Sequence, residues 1–131
     1  MRRKVDGARV ARLATVRPGG TPHVVPVVFA LDADRIFTAV DPKPKRTARL
    51  QRLENIRANP AVEVVVDHYE DDWSRIWWVR LRGEARMVEE GPEVEHAHAL
   101  LAAKYPQYRG ADMLGEVIAI EIDRWTGWSF A

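Results

Sequence analysis

The strictest pattern in this sequence is a two-residue alternation that runs from Ile76 to Val88. One set of alternate positions is mainly apolar and consists of Trp77, Val79, Leu81, Ala85 and Met87. The other set is mainly charged and consists of Trp78, Arg80, Arg82, Glu84 and Arg86. Because successive side chains of a β-strand point to opposite faces of a sheet, this segment predicts one long strand. We expect one face of that strand to be buried and the other to meet water or a ligand.

Five shorter segments also predict strands, and they are residues 10–16, 24–31, 35–40, 62–69 and 116–124. The stretch 24–31 is apolar almost throughout, which predicts burial on both faces. Pro26 within it predicts a bulge or a position that needs no ladder N–H. The first three strands are expected to pair consecutively and antiparallel. With helices over residues 46–58 and 92–104, the fold class is mainly β with helices (α+β), a six-stranded antiparallel barrel.

Composition limits the classes of partner. The 131 residues suit one domain, and the formal net charge of +1 offers no global attraction to nucleic acid or anionic membranes. The chain has no cysteine, so disulfides and thiolate chemistry are excluded. No apolar run approaches the roughly 20 residues of a membrane-spanning helix, and no signal-peptide core follows the first residues. We therefore expect a single-domain cytoplasmic protein with no membrane or nucleic-acid partner.

A basic segment follows the third predicted strand. Between Lys43 and Arg57 there are six cationic residues and one glutamate. On a helical projection of about 100° per residue, Arg46 and Arg49 fall within the apolar stripe. That stripe consists of Leu50, Leu53 and Ile56, and the opposite side consists of Thr47, Gln51 and Asn55. An unpaired cation that faces the protein interior is costly.

The place of Arg46 and Arg49 in the first helical turn predicts a bound anion. Free backbone N–H groups and the helix dipole already favour negative charge there, and a phosphate is the favoured occupant. Two alternatives remain open, in which the arginines extend along apolar surface to solvent or pair with internal carboxylates.

Standard catalytic constellations are absent from the sequence. His96 and His98 are two residues apart on a predicted helix and point in different directions, so no metal site is predicted. Asp67 and His68 are neighbours on a strand and face opposite sides, so they form no local dyad. No nucleophile-elbow, P-loop or dinucleotide motif occurs. If the protein is an enzyme, we expect a cofactor to carry the reaction.

The tryptophans of the second half suggest a binding surface. Trp78 shares its predicted face with Arg80 and Arg82, which suits a subunit interface or stacking against a planar ligand. Trp125 and Trp128 flank a glycine in a short segment and are expected to pack against something. Ordinary core and interface packing is the alternative for each.

Three stretches resemble a known family, and they are PHVVPVVFALD, IFTAVD and KPKRTARLQRLENIRANPAVEVVVDHYEDDWSRIWWVRLRGEARMV. In this order they resemble the pyridoxamine 5′-phosphate oxidase-like split β-barrel proteins, and within them the actinobacterial and mycobacterial branch of coenzyme F420-dependent enzymes. The likeness extends over residues 8–128, and residues 43–83 are its most specific part. It implies a homodimer with two cofactor sites at the subunit interface.

The resemblance also implies which residues form each cofactor site. A basic set at the start of the helix would hold the phosphate, namely Lys43, Lys45, Arg46, Thr47 and Arg49. The tricyclic ring would lie along the second and third strands, against Pro26, Val27, Thr38, Ala39 and Val40. The partner subunit would contribute from the long strand and the C-terminal segment, namely Trp78, Arg80, Trp125 and Trp128.

Coenzyme F420 is favoured over FMN because its tail continues past the phosphate into an anionic oligoglutamate. Lys43, Arg49 and Arg52 offer further cations for such a tail. The leading hypothesis is an F420-dependent oxidoreductase that transfers a hydride between F420 and an unidentified small organic substrate. No catalytic residue is assigned, and Tyr69, Arg80 or solvent could supply a proton.

Three alternatives to this hypothesis remain. The protein could be an FMN-dependent enzyme of the pyridoxamine-phosphate-oxidase type or a non-catalytic carrier of F420 or flavin. Nucleic-acid binding by the basic helix is disfavoured, because Arg46 and Arg49 are predicted to face inward and the net charge is close to zero.

Overall fold

The computed structural model describes residues 1–40, 48–108 and 116–130, with the backbone alone at residues 48–50. Within these ranges the chain forms seven strands in one sheet. In chain order they are β1 (Ala11–Val16), β2 (Pro22–Val27), β3 (Ala30–Asp32), β4 (Arg35–Ala39), β5 (Ala61–His68), β6 (Trp77–Val88) and β7 (Val117–Ser129). The α-helices are α1 (Arg2–Gly7), α2 (Ala48–Ala58) and α3 (Pro92–Lys104), with 3₁₀ turns at Trp73–Arg75 and Pro106–Tyr108.

The order of strands in the sheet is β2-β1-β5-β6-β7-β4-β3, and all neighbours are antiparallel. The edge strands β2 and β3 are separated along the chain only by Val28 and Phe29. Seven flat strands would extend about 29 Å from edge to edge. The link from Val27 to Ala30 spans at most about 11 Å. The sheet therefore has to curl into a barrel that is split between its two edges.

The predicted fold class, a mainly β antiparallel split barrel with helices, is confirmed, with seven described strands instead of six. The apolar stretch 24–31 is not one strand, since β2 ends at Val27 and β3 begins at Ala30. Consecutive antiparallel pairing is confirmed, since β1 pairs with β2 and β3 pairs with β4, and β4 also pairs with β7. Burial of this stretch on both faces is also wrong, because Val24 is 60% exposed. An unbroken apolar run carries no signal for the point where the backbone changes direction.

The alternation on β6 is confirmed. Val79, Leu81 and Ala85 are buried, whereas Arg80 and Arg82 are exposed on the other face. The buried side chains meet those of the other strands inside the barrel, and the largest of them are Leu13, Phe29, Ile36, Leu81, Ile118 and Ile120. We call the opposite side of the sheet the outer face.

A β-bulge in β7 reverses the facing of the side chains that follow it. The ladder shifts between Arg82 and Gly83, which leaves Asp123 as an extra residue on β7. A Cβ at Gly83 would lie 2.1 Å from the carbonyl oxygen of Glu121. Only a glycine therefore lets the two strands approach so closely at the bulge. Every position on β7 beyond Asp123 faces the side opposite to that expected from strict alternation.

The helix α3 packs on the outer face of β4, and its C-terminal end contacts the link between the two sheet edges. It packs through an apolar cluster that consists of Phe37, Val94, Ala97, Val117 and Ala119. At its C-terminal end the hydroxyl of Tyr105 accepts a hydrogen bond from the Phe29 N–H at 3.1 Å. The same hydroxyl lies 3.0 Å from the carbonyl oxygen of Phe29 and 2.9 Å from that of Arg9, and can donate its proton to either. Tyr105 thus holds the two-residue link between the sheet edges.

Four charged residues connect α3 to β4, β6 and β7. Arg86 contacts Glu93 at 2.6 Å and Glu121 at 3.0 Å, and Arg35 contacts Glu121 at 2.6 Å and Glu93 at 3.2 Å. Hydrogen bonds from Arg86 lower the pKa of Glu93. Burial alone would raise the pKa of Glu121, but hydrogen bonds from Arg35 and Arg86 outweigh it and the pKa is lowered.

The lowered pKa values predict a loss of stability in acid. A carboxylate with a pKa below its unfolded value, about 4.3 for glutamate, stabilises the fold above that pH, and the contribution is lost as pH falls through the folded pKa. We expect the melting temperature of the wild type to fall more steeply below about pH 4.3 than that of the Glu93→Gln, Glu121→Gln variant. Differential scanning calorimetry from pH 7 to 3 measures both curves. Parallel curves would contradict the role given to this network.

Candidate functional site

Three cation-forming side chains meet where α2 packs against the β1–β2 hairpin. Arg17 follows β1, His23 lies on β2, and Arg52 lies on α2. Burial lowers the pKa of His23, and the nearby charges of Arg17 and Arg52 lower the pKa further. Burial also lowers the pKa of Arg52. We call these three residues the cation cluster.

Two nitrogen atoms of the cation cluster are buried without a hydrogen-bond partner in the described part of the chain. They are Nε of Arg52 and Nδ1 of His23. No described carboxylate lies within ion-pair distance of Arg17, His23 or Arg52. A buried cation without a partner is costly, so this arrangement is suited to an anionic ligand.

A short chain of hydrogen bonds fixes α2 beside the cation cluster. Gln51 Nε2 donates to Asn55 Oδ1 at 2.7 Å, and Asn55 Nδ2 donates to Thr15 Oγ1 at 2.9 Å. Thr15 pairs directly with His23 across the β1–β2 ladder. Asn55 is fully buried, so its amide sets how α2 lies on β1. This contact is what brings Arg52 to His23.

The orientation of α2 therefore differs from the prediction. Gln51 and Asn55 were expected on the side away from the core, but Gln51 is half-buried and Asn55 is fully buried. Leu53 and Ile56 are buried as predicted. Because the two amide side chains are polar, the pattern predicted that they face solvent. Nothing in the sequence indicated that the hydroxyl of Thr15 would be the hydrogen-bond partner of Asn55 in the core.

The predicted phosphate residues fall largely outside the described part of the chain. Lys43, Lys45, Arg46 and Thr47 lie outside it, and so does the side chain of Arg49. Their role as an anion anchor stays a prediction. Arg52 was proposed only as a further cation for an anionic tail, and Arg17 and His23 were not predicted as site residues. The register of the β1–β2 hairpin places His23 opposite Thr15, and this pairing could have indicated His23 as a site residue.

The residues predicted to contact a ring lie along the split of the barrel. The ladder between β3 and β4 ends at the pair of Ala30 with Phe37, so Thr38, Ala39 and Val40 continue beside the gap. Val27 and Val40 belong to the barrel core, and Thr38 is 1% exposed.

The remaining two ring-contact candidates are more accessible. Ala39 is half-buried, and Pro26 is exposed and pairs with Arg12 on β1. The structure thus brings Val27 and Val40 together in one core cluster, whereas the side chain of Pro26 lies on the outer face.

Three of the four residues predicted to come from a partner subunit share the outer face. Trp78 pairs with Trp128, and Arg80 pairs with Thr126 two residues further along the β6–β7 ladder. The guanidinium of Arg80 lies 5.2 Å from the ring centroid of Trp78. Trp128 is 45% exposed and Trp78 is half-buried.

Trp125 does not join these three residues. It pairs with Leu81 and packs against the barrel core. The guanidinium of Arg2 lies 4.7 Å from its ring centroid, and its Nε1 donates to Asp34 Oδ1 at 3.2 Å. The bulge at Asp123 explains the difference, because it turns Trp125 inward and Trp128 outward.

No metal centre is found in the described ranges, where no group of three or more metal-ligating side chains converges. His96 lies 2.8 Å from Asp32 Oδ2, and His68 contacts Glu70 instead of acting with Asp67. Among the described helices, none has the length and apolar character needed to cross a membrane.

Comparison with known proteins identifies the relatives of this barrel. The model of the family described as pyridoxamine 5′-phosphate oxidase matches residues 1–129. The chain belongs to this family. Its curled antiparallel sheet is the split barrel of the pyridoxamine 5′-phosphate oxidase family, with the seventh described strand created by the break at Val28 and Phe29. A search of curated proteins found no match.

Solved structures share the fold of this pyridoxamine 5′-phosphate oxidase family member. The protein Rv2991 of Mycobacterium tuberculosis is 22% identical with a TM-score of 0.79, and the match covers 98% of this chain and 81% of that one. A FAD-binding protein of Mesorhizobium loti is 22% identical with a TM-score of 0.72, over 96% and 89% of the two chains. The FAD-binding protein of Mycobacterium smegmatis is 18% identical with a TM-score of 0.64, over 94% and 86%.

The buried amide of α2 leads to a stability prediction. Asn55→Ala leaves the Thr15 hydroxyl and the Gln51 amide without their partner, and a lost buried hydrogen bond costs about 1–3 kcal/mol. We expect the free energy of unfolding, measured in urea, to fall by that amount. Glu54→Ala, at the exposed neighbouring position, is the matched control and is expected to change it by less than about 0.5 kcal/mol. Equal losses in the two variants would contradict the role of Asn55.

Proposed function

We propose that the protein is an oxidoreductase that binds the deazaflavin coenzyme F420 at the split of its barrel. The observation that carries the proposal is the cation cluster, in which Arg52 and His23 each have a buried nitrogen atom without a described partner. A flavin-type cofactor carries a phosphate at the end of its ribityl chain, and this phosphate is the anion that the cluster would hold.

The described residues fit such a phosphate. A guanidinium and an imidazole donate hydrogen bonds to phosphate oxygens, and charge-assisted bonds of this kind are stronger than neutral ones. Burial and the nearby charges of Arg17 and Arg52 lower the pKa of His23 and so disfavour its protonated form, and a bound anion would favour that form. Lys43, Lys45, Arg46, Thr47 and Arg49 are proposed as further contacts for the same end of the cofactor.

The ring of the cofactor would lie beside the gap that opens between β2 and β4. Thr38, Ala39 and Val40 continue past the last β3–β4 pair, and Val27 ends β2 on the other side of the gap. Side chains here are apolar or buried, so they would exclude water from one side of a ring. Backbone groups along the gap would then orient its polar edge, which is how a protein positions a cofactor for reaction.

When bound, F420 would supply two-electron hydride-transfer chemistry to an acceptor that also takes up a proton. The protein's contribution would be binding, orientation and exclusion of water. Tyr69 is 64% exposed and Arg80 is also exposed, so neither has the burial that usually tunes a proton donor. We propose solvent as the source of the proton.

F420 is proposed over FMN because of the cations along α2. Arg49 and Arg52 lie on this helix three residues apart, and Lys43 precedes it, so the anionic tail of F420 would meet further positive charge. The alternative is an FMN-dependent enzyme or a non-catalytic flavin carrier. The FAD-binding proteins of similar fold support a flavin, while the identity to them is only 22% and 18%.

We further propose that the protein is a homodimer in which the outer face of one copy covers the cofactor of the other. Trp128 is 45% exposed on this face and lies beside Trp78 in the β6–β7 ladder, and contiguous exposed apolar side chains commonly mark an interaction surface. Trp78, Arg80 and Trp128 would then reach the partner's cofactor. Trp125 is withdrawn from this set because it faces the core.

A binding experiment tests the proposed function. Apoprotein is titrated with F420 and with FMN by isothermal calorimetry, and we expect F420 to bind more tightly. Arg52→Gln should weaken F420 binding by about 10- to 100-fold, since a hydrogen bond to a charged group contributes about 1.5–3 kcal/mol.

The matched control for this experiment is Arg57→Gln on the same helix. Arg57 is exposed and contacts Glu116 at 3.6 Å, so its replacement should leave F420 affinity unchanged. Equal affinity of wild type and Arg52→Gln for F420 would contradict the phosphate role. Tighter binding of FMN than of F420 would favour the FMN alternative.

A further inference from the structure

Three alternate rungs (residue pairs) of the β6–β7 ladder place aromatic and cationic side chains in a row on the outer face. Trp78 pairs with Trp128, Arg80 pairs with Thr126, and Arg82 pairs with Arg124. These six residues all lie on one face, because alternate positions of each strand share a side. Alternate rungs are about 7 Å apart, so the aromatic rung stands about 7 Å from the rung of Arg80 and about 14 Å from the rung of Arg82 and Arg124.

The two rungs of arginines form the floor of a depression of about 200 Å³. Its lining consists of Glu63, Arg80, Arg82, Arg124 and Thr126. Three arginines thus meet one glutamate. Arg82 is engaged with Asp123 at 3.3 Å, whereas neither Arg80 nor Arg124 has a described carboxylate within ion-pair distance.

The aromatic rung borders a second depression of about 290 Å³. Trp78 and Trp128 line it from the outer face, and the rest of its lining comes from Met1, Lys4 and inward-facing positions of β6 and β7, among them Trp77. Indole rings stack against other planar rings, and such contacts contribute beyond the apolar area that they bury. The face therefore offers a surface for a flat ring directly beside guanidinium groups that can bind a carboxylate.

We propose that this face recognises the hydride acceptor, and that the acceptor is a planar aromatic ring that bears a carboxylate. The ring would stack on Trp128 and Trp78, and the carboxylate would contact Arg80 and Arg124 on the two neighbouring outer-face rungs. The proposal rests on the proposed function in one respect. The molecule bound here is the hydride acceptor because in the proposed homodimer this face would lie over the partner's cofactor. The binding of the anion itself depends only on residues of this face.

The test uses apoprotein and three probes, with binding followed by calorimetry and by quenching of tryptophan fluorescence. 2-Naphthoate carries both the ring and the charge, 2-naphthalenemethanol keeps the ring without the charge, and cyclohexanecarboxylate keeps the charge without the ring. We expect 2-naphthoate to bind at least about tenfold more tightly than either of the others. Equal binding of all three probes would overturn the proposal.

Variants then separate the two parts of the site. Arg80→Gln and Arg124→Gln should each weaken 2-naphthoate binding by about tenfold and leave the alcohol unchanged. Trp128→Leu should weaken both ring probes. Arg75→Gln, at an exposed arginine outside the face, is the control and should change neither. Unchanged 2-naphthoate affinity in Arg80→Gln and Arg124→Gln would also overturn the proposal.

The binding of 2-naphthoate and the binding of F420 can fail independently of each other. If F420 binds but 2-naphthoate does not, the acceptor proposal fails and the cofactor proposal stands. If 2-naphthoate binds with the predicted dependence on arginine but F420 does not bind, the anion site stands and the oxidoreductase proposal fails. Circular dichroism of each variant checks that the fold is retained.

Discussion

The two-residue link between β2 and β3 is the constraint on which the rest of the structure depends. Its ends are the two edges of a seven-stranded sheet, and a link this short cannot join the edges of a flat sheet. Curling places the core inside the barrel and opens a gap beside β4. The Tyr105 hydroxyl holds Phe29 at this link from both its N–H and its carbonyl side. The gap where a ring is proposed to lie is therefore a direct consequence of chain connectivity.

Sequence patterns predicted the fold more completely than they predicted which way side chains face. Strict alternation on β6 was a reliable signal because one face of the strand is buried and the other is wet. On β7 the same argument fails at Asp123, where one added residue inverts every later position. Gly83 is the local sign of that bulge, but a glycine within a strand also occurs at tight bends and where a ligand approaches the backbone closely. The opposite facing of Trp125 and Trp128 could therefore not be read from the sequence.

The candidate site was likewise predicted only in part from the sequence. The helix predicted over residues 46–58 is confirmed for Ala48–Ala58, the part of it that lies in the described range. The cation cluster was missed because its members come from a hairpin and a helix that only tertiary packing unites. A buried hydrogen bond between Asn55 and Thr15 decides this packing. Polar side chains that hydrogen-bond to one another inside a core follow no hydrophobic periodicity. A helix orientation inferred from the hydrophobic pattern therefore places them on the solvent side.

We propose that Arg17, His23 and Arg52 form a site for the phosphate of a flavin-type cofactor. The most direct measurement compares the affinity of apoprotein for F420 with its affinity for the same deazaflavin ring and ribityl chain without the phosphate and tail. We expect removal of these groups to weaken binding by at least about 100-fold, equivalent to about 2.8 kcal/mol. Equal affinity for the two compounds would contradict it, because the cation cluster would then hold no part of the cofactor.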